Sequence, residues 1–171
     1  MNLAFCESLS HRLRGGATYD GLANLAQSLR ASIRRPGSLH VIGPRESEPW
    51  HLTAHLEMLA RYRDVPELTP APRHLEVTDA CDGDVVLLVS EERATDSLLQ
   101  QLGDARSRGS IILGLTAAAD DRLGSVAAES LAVSLDDAHL GAPGIVLDFE
   151  TTTHLLGVAA AASKRRRWWS R

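Results

Sequence analysis

Two loops that each contain an arginine and at least one hydroxyl side chain follow short apolar runs, and they carry the residues best suited to bind an anion. The first is Gly43–Glu48, which contains Arg45 and Ser47, and the second is Ser90–Thr95, which contains Arg93. Hydroxyls and backbone N–H groups at a helix start bind phosphate, and a guanidinium pairs with it bidentately. The loops therefore predict a site for a phosphorylated small molecule. Helix capping alone would also explain the hydroxyls.

These loops require strands and helices that bring them together. Four apolar runs predict strands at residues 39–43, 85–89, 111–115 and 131–135. A weaker edge strand is expected near 74–77. Helical spacing predicts helices near 2–13, 18–35, 49–63, 95–108, 122–128 and 145–163. This alternation predicts an α/β fold, a doubly wound three-layer α/β/α sandwich with a mostly parallel sheet, in which ligands bind beyond the carboxyl ends of the strands.

The order and spacing of these elements resemble the sugar isomerase (SIS) domain over about residues 18–163. Gly83-Asp84 and the apolar run 85–89 match the family's Gly-Asp followed by a hydrophobic strand. Ser90 and Thr95 match the outer residues of its Ser-x-Ser-Gly-x-Thr loop. Its central Ser-Gly is replaced here by Glu92-Arg93.

Three further segments carry the resemblance less completely. In the first loop Gly43 and Ser47 match a Gly-x-Gly-x-Ser pattern, whose second glycine is absent. Glu57 stands ten residues beyond Ser47 and is followed by Arg61-Tyr62-Arg63, as in phosphoheptose isomerase. The stretch from Gly109 to Thr116 resembles a further strand of the family.

The resemblance implies a phosphosugar site made by Arg45, Ser47, Ser90, Arg93 and Thr95. It also implies a ketose–aldose isomerisation, with Glu57 as the catalytic base. His154 is a second acid or base by its place on the last helix. Short stand-alone SIS-like proteins of no established activity resemble this chain in length and altered motifs.

The departures from the family pattern leave an alternative open, a non-catalytic SIS-like sensor or oligomeric scaffold. Thr53 replaces the metal-binding histidine, so we expect no metal and no cofactor. His51 and His55 have a spacing that can bind metal, but surface histidines are the simpler interpretation. Glu57 has its own simpler interpretation, an ion pair with Arg61 one turn further on.

Bulk properties limit the partners. The 171 residues have a net charge of −4, two distant cysteines and no long apolar run, which favours a cytoplasmic protein that binds neither membrane nor nucleic acid. We expect a single SIS-like domain over residues 1–163, with N-terminal helices at 2–35 and an α/β core at 38–163. Residues 164–171 form a basic tail with two tryptophans. By resemblance, the chain is expected to bind a sugar phosphate and to form a homodimer or homotetramer.

Overall fold

The computed structural model describes residues 17–44, 50–71, 77–117, 121–133 and 149–161. Within these residues four parallel strands form one sheet in sequential order. The strands are β1 (Leu39–Ile42), β2 (Val85–Ser90), β3 (Ile111–Thr116) and β4 (Glu129–Ala132). The helices are α1 (Ala17–Ser32), α2 (Trp50–Arg63), α3 (Asp96–Ser107), α4 (Asp121–Val126) and α5 (Phe149–Ala161). Two short 3-10 helices cover Pro66–Leu68 and Val77–Asp79.

Helices cover both faces of the sheet, because successive side chains of a strand point to opposite faces. In β2, Val85, Leu87 and Val89 pack in one cluster with α1, α2 and α5. Val86 and Leu88 pack in a second cluster with α3 and α4. Every residue of β2 is buried, as the unbroken apolar run predicts for a strand covered on both faces. The expected three-layer sandwich is therefore confirmed.

The boundaries of most elements agree with the sequence prediction, but the boundaries of β4 do not. It begins at Glu129, two residues before the predicted start, because Glu129 pairs with Leu113 of β3. Only Leu131 of this strand is buried. The two residues before it are polar, so the apolar run from which a strand is predicted begins only at Leu131.

Three predicted segments lie outside the described residues. They are the helix at 2–13, residues 74–76 of the edge strand and the tail at 164–171. Val77, the last residue of that predicted strand, begins a 3-10 helix instead. Ahead of it, the N–H of Ala71 donates a hydrogen bond to the carbonyl of Leu39, on the edge of β1 that faces away from β2.

Asp84 fastens the amino ends of β1 and β2. Its carboxylate accepts hydrogen bonds from the backbone N–H of Ser38 at 2.8 Å and of Cys81 at 2.9 Å. His40 of β1 brings its Nε2 to 3.6 Å from the same carboxylate. Partial burial alone would raise the pKa of Asp84, but the bonds from Cys81 and Ser38, with His40, hold that pKa below its ordinary value.

We expect Asp84→Asn to lower the free energy of unfolding at pH 7 by about 1–3 kcal/mol, since an amide cannot accept both hydrogen bonds as a carboxylate does. Urea denaturation measures the loss, with Asp82→Asn as the control at an exposed neighbouring carboxylate. Because folding lowers the pKa of Asp84, its contribution is present above the ordinary pKa of 3.8 and disappears as the pH falls through the lower folded value. Equal stabilities of both variants at pH 7 would contradict this role.

Candidate functional site

The carboxyl ends of β1, β2 and β3 meet at one edge of the sheet. Ile42 at the end of β1 pairs with Leu88, so the loop after β1 begins beside the end of β2. Ser90 pairs with Thr116 at the end of β3, and both side chains are buried. Gly43 follows β1 at this edge, whereas Arg45 and Ser47 lie outside the described residues. The described strands thus place the starts of the two predicted loops next to each other.

The hydroxyl of Ser90 stabilises the second loop by hydrogen bonds to its backbone. The hydroxyl donates a hydrogen bond to the carbonyl of Glu92 at 2.7 Å and accepts one from the N–H of Glu92 at 3.1 Å. The side chain is fully buried. Its proton is therefore committed to the backbone of its own turn, and binding a ligand oxygen through it requires the turn to open.

Thr95 caps α3, as the capping interpretation predicts. Its hydroxyl accepts a hydrogen bond from the N–H of Leu98 at 3.2 Å, which satisfies one of the unpaired donors at the helix start. Asp96 adds a negative charge in the first turn, where the helix dipole favours it. The start of α3 therefore already has a hydroxyl and a carboxylate of its own.

Arg122 of α4 contacts the second loop and the first residue of α3. Its guanidinium forms an ion pair with Asp96 and donates a hydrogen bond to the carbonyl of Ala94 at 2.9 Å. The sequence analysis did not name Arg122 as a site residue, since it lies 26 residues from Asp96 and belongs to a different helix. No local pattern marks it, and only the pairing of β2 with β3 brings the two segments together.

The charge of the second loop is mixed. Glu91, Glu92 and Arg93 are all exposed at its tip. Arg93 can pair with an anion, but a carboxylate within about 4 Å of a phosphate costs on the order of 1–4 kcal/mol. The loop is consequently better suited to a weakly held anion, or to neutral hydroxyls, than to a tight phosphate site.

The two predicted catalytic residues lie on different sides of α2. His154 of α5 contacts His55, with the ring centroids 4.5 Å apart in a T-shaped arrangement, and lies 6.3 Å from His51. Glu57 is two residues beyond His55, which places it about 160° around the helix. Glu57 is half-buried and lines a groove of about 480 Å³ on the outer side of α2. Its predicted ion pair with Arg61 is not among those formed by the described residues.

His55 is a buried histidine, so the interpretation of His51 and His55 as surface histidines is wrong for His55. Burial, and then the neighbouring His154, lower the pKa of His55 from its ordinary value of 6.5 to about 4. The Cδ2 atom of His55 packs against Gly157, where a Cβ would approach to 2.7 Å, so α5 needs a glycine at this crossing. His51 is exposed. In the described part of the chain no group of three or more His, Cys, Asp and Glu side chains is arranged to hold a metal ion.

The solved structures similar to this chain include one protein from Salmonella typhimurium and one from Vibrio vulnificus. A candidate sugar-binding protein from Salmonella typhimurium LT2 matches with a TM-score of 0.54 and 16% identity, over 90% of this chain and 45% of its own. The Vibrio vulnificus NanR protein complexed with ManNAc-6P gives a TM-score of 0.48 and 16% identity, over 89% of this chain and 59% of its own. The chain thus spans about half the length of the proteins it matches. Neither a family model nor a curated protein matches the sequence.

The topology and the Salmonella structure together define the class of fold. The chain is an α/β protein with a parallel sheet between two helical layers, a three-layer sandwich that shares its fold with the Salmonella protein. Among the helices described, none has the length and apolar character that crossing a bilayer requires.

Acidification is expected to destabilise the protein through His55. The unfolded chain takes up a proton near pH 6.5, whereas the folded chain takes it up only near pH 4, so stability is lost as the pH falls through this window. The loss between pH 7 and pH 4 is on the order of 3 kcal/mol. Urea denaturation at several pH values should show this slope in the wild type and a shallower slope in His55→Leu.

The control for this experiment is His51→Gln, which alters an exposed histidine on the same helix. It should keep the wild-type slope, and titrations common to all three proteins cancel in the comparison. A His55→Leu slope equal to that of the wild type would show that His55 is protonated in the folded protein at the same pH as in the unfolded chain.

Proposed function

We propose that this domain binds a sugar phosphate at the carboxyl edge of its sheet and does not turn it over. The observation that carries the proposal is the adjacency of β1 and β2, whose ends lie side by side at the edge where α/β proteins bind ligands. The loop after each strand offers at least one hydroxyl and one arginine. In this proposal Arg45 and Ser47 come from the first loop, and Ser90, Arg93 and Thr95 from the second.

The Salmonella protein supports a carbohydrate ligand. It shares the fold over 90% of this chain and is described as a candidate sugar-binding protein. Sharing a fold does not establish a ligand, so the support from this chain's own residues weighs more. Those residues are the hydroxyls that gather at one edge of the sheet and the exposed guanidinium of Arg93.

The altered loop implies modest affinity. Ser90 must release the backbone of Glu92 before its hydroxyl can donate to a ligand, and the carboxylates of Glu91 and Glu92 repel an anion. Glycine would let the backbone approach a phosphate closely, and Arg93 replaces the glycine of the family pattern. Arg93 offsets part of this cost by direct pairing.

An isomerase activity is the finer prediction, and it rests on Glu57 and His154. Proton transfer between adjacent sugar carbons needs a base that reaches the substrate from within a closed site. Glu57 instead lines an outer groove, and His154 packs against His55 on a different side of α2. We therefore favour binding in a sensor or scaffold over turnover, and both residues remain predictions as catalytic groups.

Restoring the family's serine is expected to tighten binding. The variant Glu92→Ser removes one carboxylate and keeps the guanidinium of Arg93. Isothermal titration calorimetry with five- to seven-carbon sugar phosphates should show an affinity at least about fivefold higher than that of the wild type, since the repulsion removed is at least about 1 kcal/mol. Asp82→Asn is the matched control, because it removes an exposed carboxylate near the amino ends of the strands and should leave the affinity unchanged. No binding by the wild type or by Glu92→Ser would exclude the phosphosugar site.

Turnover is tested separately. We expect purified protein to show no ketose–aldose interconversion of a bound sugar phosphate when it is followed by proton NMR in deuterated water. Deuterium incorporated next to the carbonyl, and lost in Glu57→Gln, would instead establish the isomerase and Glu57 as its base.

A further inference from the structure

The outer side of α2 carries an apolar stripe. Trp50 is 48% exposed, Met58 is 46% exposed and Tyr62 is 70% exposed, and these are the large exposed hydrophobic side chains of the described residues. Together with Ala54 they follow one another at intervals of four residues, so they form a single row on the helix surface. Contiguous exposed apolar surface marks an interaction site on a soluble protein.

Two opposite charges border this stripe on one side. Glu57 and Arg61 are one turn apart and line the groove together with Ala54, Met58 and Tyr62. In the part of the chain that the structure describes, they do not form an ion pair with each other or with a third residue. An acid and a base at this spacing are complementary to a second, antiparallel helix of the same sequence, which presents the same charges in reverse order.

The geometry of such a pair can be derived from helix parameters. If a two-fold axis passes at the level of residue 59, Glu57 of each copy lies opposite Arg61 of the other, because residues 57 and 61 are equally far from 59. Tyr62 then lies level with residue 56 of the second copy, between its Ala54 and its Met58. The small alanine leaves space for the tyrosine ring, as a ridge fits a groove in helix packing.

We propose that the outer side of α2 is a homodimer interface, with α2 packed antiparallel against α2 of a second copy. The occupant is a second copy because the stripe is self-complementary in both charge and size. With the axis at residue 59, the two copies of α2 overlap over residues 55–63, which is about 13 Å of helix, so this contact belongs to the small class of interfaces. The dimer is therefore expected to dissociate in the micromolar range.

A charge swap tests the pairing in the full chain. Glu57→Arg and Arg61→Glu, each alone, place like charges opposite one another twice and should raise the dimer dissociation constant at least about tenfold in sedimentation equilibrium. The double variant Glu57→Arg with Arg61→Glu restores opposite charges and should recover the wild-type constant within about threefold. Such recovery cannot come from a general loss of folding.

Asp104→Arg is the matched control, since it makes the same charge change on an exposed position of α3, in the other helical layer. It should leave the dissociation constant unchanged, whereas Tyr62→Ser should weaken the dimer without altering the circular dichroism spectrum. A wild-type protein that stays monomeric at several hundred micromolar would overturn the proposal. So would a double variant as dissociated as the single ones, or a dimer insensitive to all of them.

Discussion

The parallel pairing of β1 with β2 is the constraint on which the rest of the structure depends. It is secured at the amino ends of the strands, where Asp84 binds two backbone N–H groups. Gly37 and Gly83 have positive φ angles of 145° and 86°, and a Cβ on either would come within 2.2 Å of a backbone oxygen. The Gly-Asp pair thus belongs to the assembly of the sheet, and its effect on the ligand site is to set which loops become neighbours.

Much of the fold was accessible from the sequence because its signals are local. The unbroken apolar run of β2 specifies a strand buried on both faces, and the cap at Thr95 marks the start of α3. What the sequence could not show depends on distant contacts. Glu129 begins a strand only because Leu113 lies beside it. His55 is buried because Gly157 lets α5 approach, and spacing along one helix carries no information about its neighbour.

The candidate site was likewise predictable where its signals are local and not where they depend on distant contacts. Placing Ser90 and Thr95 at the carboxyl edge required only the order of strands and helices. Their hydrogen bonds depend on the folded backbone, in which both hydroxyls are bonded to their own loop or helix. The contacts of Arg122 with Asp96 and with the carbonyl of Ala94 join two separate segments, so neither segment alone predicts them. A loop stabilised internally in this way keeps its shape without a ligand, and the ligand must then compete with bonds the protein already has.

The two roles considered for Glu57 oppose each other physically. A catalytic base must accept a proton from carbon, which is favoured when its carboxylate lacks strong partners. A carboxylate paired with a guanidinium in a covered interface is stabilised in its charged form and is the weaker proton acceptor. In the proposed dimer, Arg61 of the second copy is such a partner, and Met58 and Tyr62 supply the apolar surface that covers the pair. In that arrangement Glu57 suits an interface ion pair better than proton transfer, which agrees with the proposal that the domain binds a sugar phosphate without turning it over.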